Sequence, residues 1–128
     1  VRIGIVELVA NRIPAAAASV RQALDLNPEN GLAYFVLAQC YASSAASCAG
    51  FAGQAAFWAA YDTMSKAVNY MSDEDESSYG NSARASLAAY RNRFPTSEEC
   101  FFNELKEGDR YTVSCGTASG VATTVRSR

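Results

Sequence analysis

Gly31-Leu-Ala-Tyr-Phe-Val-Leu-Ala-Gln-Cys-Tyr41, answered further along by Ala60-Tyr-Asp-Thr-Met-Ser-Lys-Ala67, is the stretch that decides how this chain folds. Helical spacing puts Tyr34, Leu37, Ala38 and Tyr41 on one face, and Ala60, Met64 and Ala67 on the face of a second helix. The small residues Ala38 and Ala60 let two antiparallel backbones approach closely, while Tyr34, Leu37, Tyr41 and Met64 fill the seams around them. The pattern predicts one helix over residues 32–41 and its partner over residues 54–71. Such a pair is a scaffold unit, and nothing in it names a ligand.

The same arrangement stands upstream at a period of about 34 residues, the mark of a helical repeat. Residues 1–10 are apolar nearly all round, with Ile3, Gly4, Ile5, Val6, Leu8 and Val9, as a helix buried on two sides would be. Asn11 and Arg12 turn the chain, and Pro14 suits the first turn of a helix running to Leu26 that carries Ala16, Val20 and Ala23. Pro28 closes that unit and Asn30 caps the next helix. The second unit holds about ten residues more than the repeat accommodates. They fall in residues 42–53, where small residues and glycines predict a loop, or a loop with lengthened helix ends.

Residues 72–76 form an acidic run that reads as a solvated linker with favourable charge for the following helix; the glycine and distal glutamate of an EF-hand loop are missing. The next helix, over residues 77–93, has Tyr79, Ala83, Leu87 and Tyr90 on one stripe, with Arg84, Arg91 and Arg93 elsewhere. That two-sided character suits a capping helix at the end of a stack. After Phe94-Pro95 the pattern changes. Thr96 and Glu99 offer a capping box for a short helix through Phe101, Phe102 and Leu105, stopped by Gly108. Residues 110–115 and 121–126 then alternate, Tyr111, Val113 and Cys115 against Thr112 and Ser114, and Val121, Thr123 and Val125 against Ala122 and Thr124. A lone hairpin is marginal in water, so it must pack on the helices or on a partner, with Phe101 and Phe102 as material for the joint. Residues 1–95 are thus expected to be helical repeats with a capping helix. Residues 96–128 would add a short helix and a hairpin to the same mostly α domain.

Composition narrows the function. The chain has 128 residues, is 49% hydrophobic and carries a formal charge of −2, which fits a modest single core and gives no basic surface for nucleic acid. Histidine is absent, which removes the usual general base and the commonest metal ligand. Ser47, Ser119 and the cysteines have no base at a recognisable spacing, and Glu98, Glu99 and Glu104 share one short helix where capping and solvation suffice. Catalysis, a metal and a cofactor are therefore not expected. No apolar run approaches the roughly 18 residues of a membrane helix. The chain opens at Val1 inside a helical pattern, as expected of a piece of a longer protein.

Leu37-Ala-Gln-Cys-Tyr41, Ala60-Tyr-Asp-Thr-Met64, Phe94-Pro-Thr-Ser-Glu-Glu-Cys-Phe-Phe102, Tyr111-Thr-Val-Ser-Cys-Gly116 and Thr123-Thr-Val-Arg126 together resemble the C-terminal region of tetratricopeptide-repeat proteins of Bacteroidota. The resemblance covers nearly the whole chain and is most specific in the hairpin ending. It implies antiparallel helix pairs wound into a right-handed superhelix, and an envelope-associated or secreted protein whose upstream repeats are absent here. It carries no catalytic residues.

In arrays of this kind the first helices of successive units line a concave groove. Here that implies Ile5, Leu8 and Val9 from the first unit, and Leu32, Phe35, Gln39, Ala42 and Ser43 from the second. An apolar groove of this sort accepts a peptide or a helix of a protein partner; the alternative is that Ile5, Leu8, Val9 and Phe35 pack on a preceding repeat. The hairpin edge, with Val121, Thr123 and Val125, is a second docking candidate through strand addition. Four cysteines, Cys40, Cys48, Cys100 and Cys115, lack metal spacing and allow three pairings. A Cys40–Cys48 bridge would pin the insertion and a Cys100–Cys115 bridge would fasten the hairpin to the short helix. The alternative, four buried thiols, would instead suit the cytoplasm. The function expected is that of a protein-interaction scaffold or accessory subunit of an envelope assembly. The alternatives are a structural cap on a longer solenoid, and a glycan or small-molecule binder using Trp58, Tyr61 and the insertion.

Overall fold

The computed structural model describes residues 13–46, 48 and 50–127; the predicted first helix, with Ile5, Leu8 and Val9, lies outside the described residues. Among these, five α-helices are followed by a small antiparallel hairpin: α1 Ile13–Leu26, α2 Gly31–Ala45, α3 Gly50–Tyr70, α4 Asp73–Arg91 and α5 Ser97–Phe102, then β1 Arg110–Thr112 and β2 Ala122–Thr124. A single 3-10 turn, Gly116–Ala118, lies between the strands.

Helices α2, α4 and α5 begin where the sequence supplies a cap. Pro14 stands in the first turn of α1, where its missing N–H is harmless. Asn30 Oδ1 accepts from Ala33 N at 3.1 Å to open α2, and Ser72 Oγ accepts from Asp75 N at 3.2 Å to open α4. The acidic run is therefore not a linker. Asp73, Glu74, Asp75 and Glu76 form the first turn of α4, where the helix dipole favours negative charge.

Helix α2 is the centre of the molecule. It touches α1, α3, α4 and the 3-10 turn, which explains why it is apolar all round. Its start lies against the end of α3, where a Cβ on Gly31 would overlap the backbone of Tyr70 and Met71; its end meets the start of α3, with Ala45 O beside Gly53. The two helices are thus antiparallel and very close. Alanines line the joint, and Ala38 and Ala60 are both fully buried, together with Ala33, Ala56 and Ala59. The predicted insertion takes the form of lengthened helix ends, since α2 runs to Ala45 and α3 starts at Gly50. Helix α4 closes the far side through Tyr79, 5.4 Å from Phe35, and Tyr90, 5.8 Å from Phe57.

The hairpin pairs Arg110 with Thr124, Tyr111 with Thr123 and Thr112 with Ala122. The strands are shorter than their alternation suggested because the 3-10 turn closes them early, with Val113 N donating to Val121 O at 2.9 Å and Gly120 N to Val113 O at 2.8 Å. The alternation itself holds. Val113, Thr123 and Val125 are buried, while Thr112, Ser114, Ala122 and Thr124 face water.

The joint between hairpin and helices is not made by Phe101 and Phe102, which are exposed. It is an aromatic triangle of Phe51, Trp58 and Tyr111, with centroids 5.4–6.1 Å apart in edge-on geometry. The 3-10 turn docks on α2, where Gly116 sits at φ 68° with Ser44 so near that an added Cβ would come within 2.9 Å of Ser44 Cβ.

Candidate functional site

Large side chains that the fold leaves in water are the informative ones in this molecule. Phe101 and Phe102 are 77% and 80% exposed, adjacent on α5, with their rings 6.2 Å apart and edge-on. Burying each of them would stabilise by about 1.5–3 kcal/mol, so a fold that exposes both leaves that free energy available to a contact.

The helix that carries them is held firmly. At its start Thr96 Oγ1 accepts from Glu99 N at 3.2 Å and Glu99 Oε1 accepts from Thr96 N at 3.1 Å, the reciprocal capping box. Beneath it Cys100, Phe94 and Pro95 are buried. Burial raises the Cys100 thiol pKa above its ordinary value, helped by the nearby carboxylates of Glu107 and Glu99, so this cysteine stays protonated and apolar in character.

At its end, Leu105 N donates to Cys100 O and Glu104 N to Phe101 O, both at 3.0 Å. This is a Schellman close, and the residue it forces into the left-handed region, at φ 60°, is Glu104 where glycine is usual. The close explains why α5 ends before Gly108, shorter than its sequence suggested. Lys106 N donates to Asp109 Oδ2 and Gly108 N to Val125 O, which ties the following turn to the hairpin. Beside the rings lies a cavity of about 450 Å³ lined by Phe101, Phe102, Glu104, Leu105 and Lys106.

A second constellation anchors the hairpin. Arg126 Nη2 reaches Asp62 Oδ1 at 2.7 Å, Trp58 O at 3.3 Å and Thr123 Oγ1 at 3.3 Å. Thr123 Oγ1 also donates to Asp62 Oδ2 at 2.6 Å. The guanidinium lies 5.4 Å from both the Tyr61 and Phe94 rings, which themselves meet edge-on at 5.5 Å. A cavity of about 310 Å³ opens beside it, and on its rim Glu107 accepts from both Ser127 N and Ser127 Oγ. Those two hydrogen bonds hold the Glu107 carboxyl below its ordinary pKa, with Arg126 adding to the effect. These contacts serve the fold. Trp58 is fully buried and Tyr61 lies under Arg126, so the aromatic residues expected for glycan binding are committed to the core and the anchor.

Of the residues expected to line a groove, Leu32, Gln39 and Ala42 are half-buried on α2 and Ser43 is exposed, while Phe35 is buried with its ring 5.4 Å from Tyr79 of α4. The hairpin edge also differs from expectation. Val121 and Val125 use their backbone groups inside the hairpin, Val125 N donating to Asp109 O and Val121 N to Ala118 O, and Thr123 pairs with Tyr111. The side chains of Thr123 and Val125 are buried, so the open edge of β2 runs through Ala122 and Thr124 instead.

One disulfide is present among the described residues, and it is neither of the pairs suggested by position in the sequence. Cys48, at the tip between α2 and α3, bonds Cys115, just before the 3-10 turn, across 67 residues with Cα atoms 6.5 Å apart. Cys40 and Cys100 are buried outside the bridge. The docking of the turn on α2 brings Cys115 to the insertion, while Cys100 is buried on α5. Among the described residues no cluster of His, Cys, Asp or Glu has the geometry of a metal site, and no helix is long and apolar enough to cross a membrane.

No family model, curated protein or solved structure matches this chain.

Proposed function

We propose that the chain is a non-catalytic protein-interaction module, built from tetratricopeptide-like helix pairs, that docks a partner through α5 as an accessory subunit of an envelope assembly. The observation that carries this reading is the adjacent pair Phe101 and Phe102, about four-fifths exposed on a helix capped at both ends. Rigid aromatic anchors of this kind dominate binding energy at interfaces. The antiparallel pair α2 and α3, closed by alanines at the positions the repeat pattern expects, supports the repeat assignment. The Cys48–Cys115 bridge supports an oxidising compartment, such as a periplasm or an extracellular space.

A second reading, a structural cap on a longer solenoid, draws support from the hairpin, which folds back onto α2 and α3 rather than extending the stack. The two readings separate on one variant. Phe101→Ser with Phe102→Ser changes only exposed side chains, so stability should stay within about 0.5 kcal/mol. Under docking through α5, the variant loses the partner that co-purifies with the native protein from its own cells. Undiminished co-purification by a stably folded variant contradicts it.

A further inference from the structure

We infer that the partner surface for α5 is a cationic amphipathic helix of another protein, laying its apolar face on Phe101 and Phe102 and its lysines or arginines on the surrounding carboxylates. This inference rests on docking through α5 and names what docks.

Three observations converge on it. The first is charge placement. From Glu98 to Asp109 the chain carries five carboxylates against the single cation Lys106; Glu99 is engaged by the capping box and Glu107 by Ser127, which leaves Glu98, on α5 itself, and Glu104, on the cavity wall, for a partner. Glu98, Glu104 and Glu107 are all exposed. The second is conformation. Glu104 occupies a left-handed position at φ 60° that glycine would fill at lower cost, so a carboxylate stands beside the rings against the local backbone preference. The third is shape. The cavity of about 450 Å³ is walled by the two rings and Leu105, which suit side chains from one apolar face, with Glu104 and Lys106 at its border.

The same charges argue against other occupants. A second copy of this chain would bring a second acidic rim to the interface, and like charges across a symmetric contact are repulsive. An anionic lipid surface is repelled for the same reason.

The test uses the intact oxidised chain and two synthetic amphipathic helical peptides that share one leucine face and differ in a lysine or a glutamate polar face. The lysine peptide should bind, move the backbone amide resonances of residues 101–106, and weaken steeply with added salt. Phe101→Ser with Phe102→Ser should lower its affinity at least about tenfold. Glu98→Lys with Glu104→Lys should turn the preference toward the glutamate peptide.

Equal binding of the two peptides overturns the inference. So does a set of shifts centred on the other acidic stretch, Asp73 to Glu76, or binding to phosphatidylcholine vesicles that depends on the phenylalanine pair. The reading beneath it is judged separately. If Phe101→Ser with Phe102→Ser loses the native partner while the peptides do not discriminate, docking through α5 stands and its cationic partner falls; if the native partner is retained, both fall.

Discussion

Trp58 and Arg126 grip each other across 68 residues of sequence: the indole N–H donates to the Arg126 carbonyl at 2.7 Å, and the Arg126 guanidinium donates back to the Trp58 carbonyl at 3.3 Å. A hairpin of two three-residue strands has little stability of its own, and this exchange, together with the aromatic triangle, makes it part of the helical core. Trp58→Phe keeps most of the ring but leaves the Arg126 carbonyl without its donor, so a loss of about 1–3 kcal/mol is expected. Hydrogen exchange at the β2 amides should quicken in step with that loss. Unchanged exchange would show that the hairpin is held by other contacts.

The Cys48–Cys115 bridge should be worth about 2–4 kcal/mol, because it closes a long loop in the unfolded chain. Cys115→Ser and reduction of the native chain should lower the urea midpoint by similar amounts. Intact mass after alkylation of denatured, unreduced protein should show label on two thiols, Cys40 and Cys100. Label on all four cysteines would remove the bridge and, with it, the case for an oxidising compartment.

Glu104→Gly relieves a left-handed residue at the end of α5 and should stabilise the fold by about 0.5–1 kcal/mol. If that carboxylate also meets a cationic partner, the same variant binds the lysine peptide more weakly while melting higher. A substitution that raises stability and lowers affinity separates the two roles of the position. A variant that melts lower would show that the αL conformation carries no strain.

Glu107 gives the chain an acid-sensitive contact. Its folded pKa is depressed by the two hydrogen bonds from Ser127, so its contribution is present above the ordinary glutamate pKa and fades as pH falls through the lower, folded value. Glu107→Gln should therefore reduce the slope of stability against pH on the acid side, measured by urea denaturation from neutral to acid pH. An identical slope in the variant would mean that the Ser127 contacts do not persist in solution.

Local signals in the sequence were readable and distant ones were not. The capping box of Thr96 and Glu99, the Asn30 cap and the alternation of Val113, Thr123 and Val125 each depend on neighbours a few residues away, and each is found in the structure. The burial of both Ala38 and Ala60 follows from two helical periods meeting across one turn. In contrast, the partner of Cys48 is decided by where the 3-10 turn docks, and the Trp58–Arg126 exchange by how the hairpin lies on α3.

Phe101 and Phe102 illustrate the same limit. Hydrophobicity alone assigned them to the hairpin joint, but Phe51, Trp58 and Tyr111 already fill that joint, and the Schellman close at Glu104 ends α5 with both rings turned to water. One sequence signal was available. Glutamates on both sides of two adjacent aromatic residues are more common on a surface than in a core.

The most direct measurement is site-specific photocrosslinking from position 102, with a benzoylphenylalanine in place of Phe102 in the protein's own cells and an equivalent probe at exposed Ser82 on α4 as control. Docking through α5 requires a discrete protein adduct from position 102 that is absent from position 82. Adducts of equal yield from both positions, or none from position 102 in a folded, disulfide-bonded chain, would contradict it.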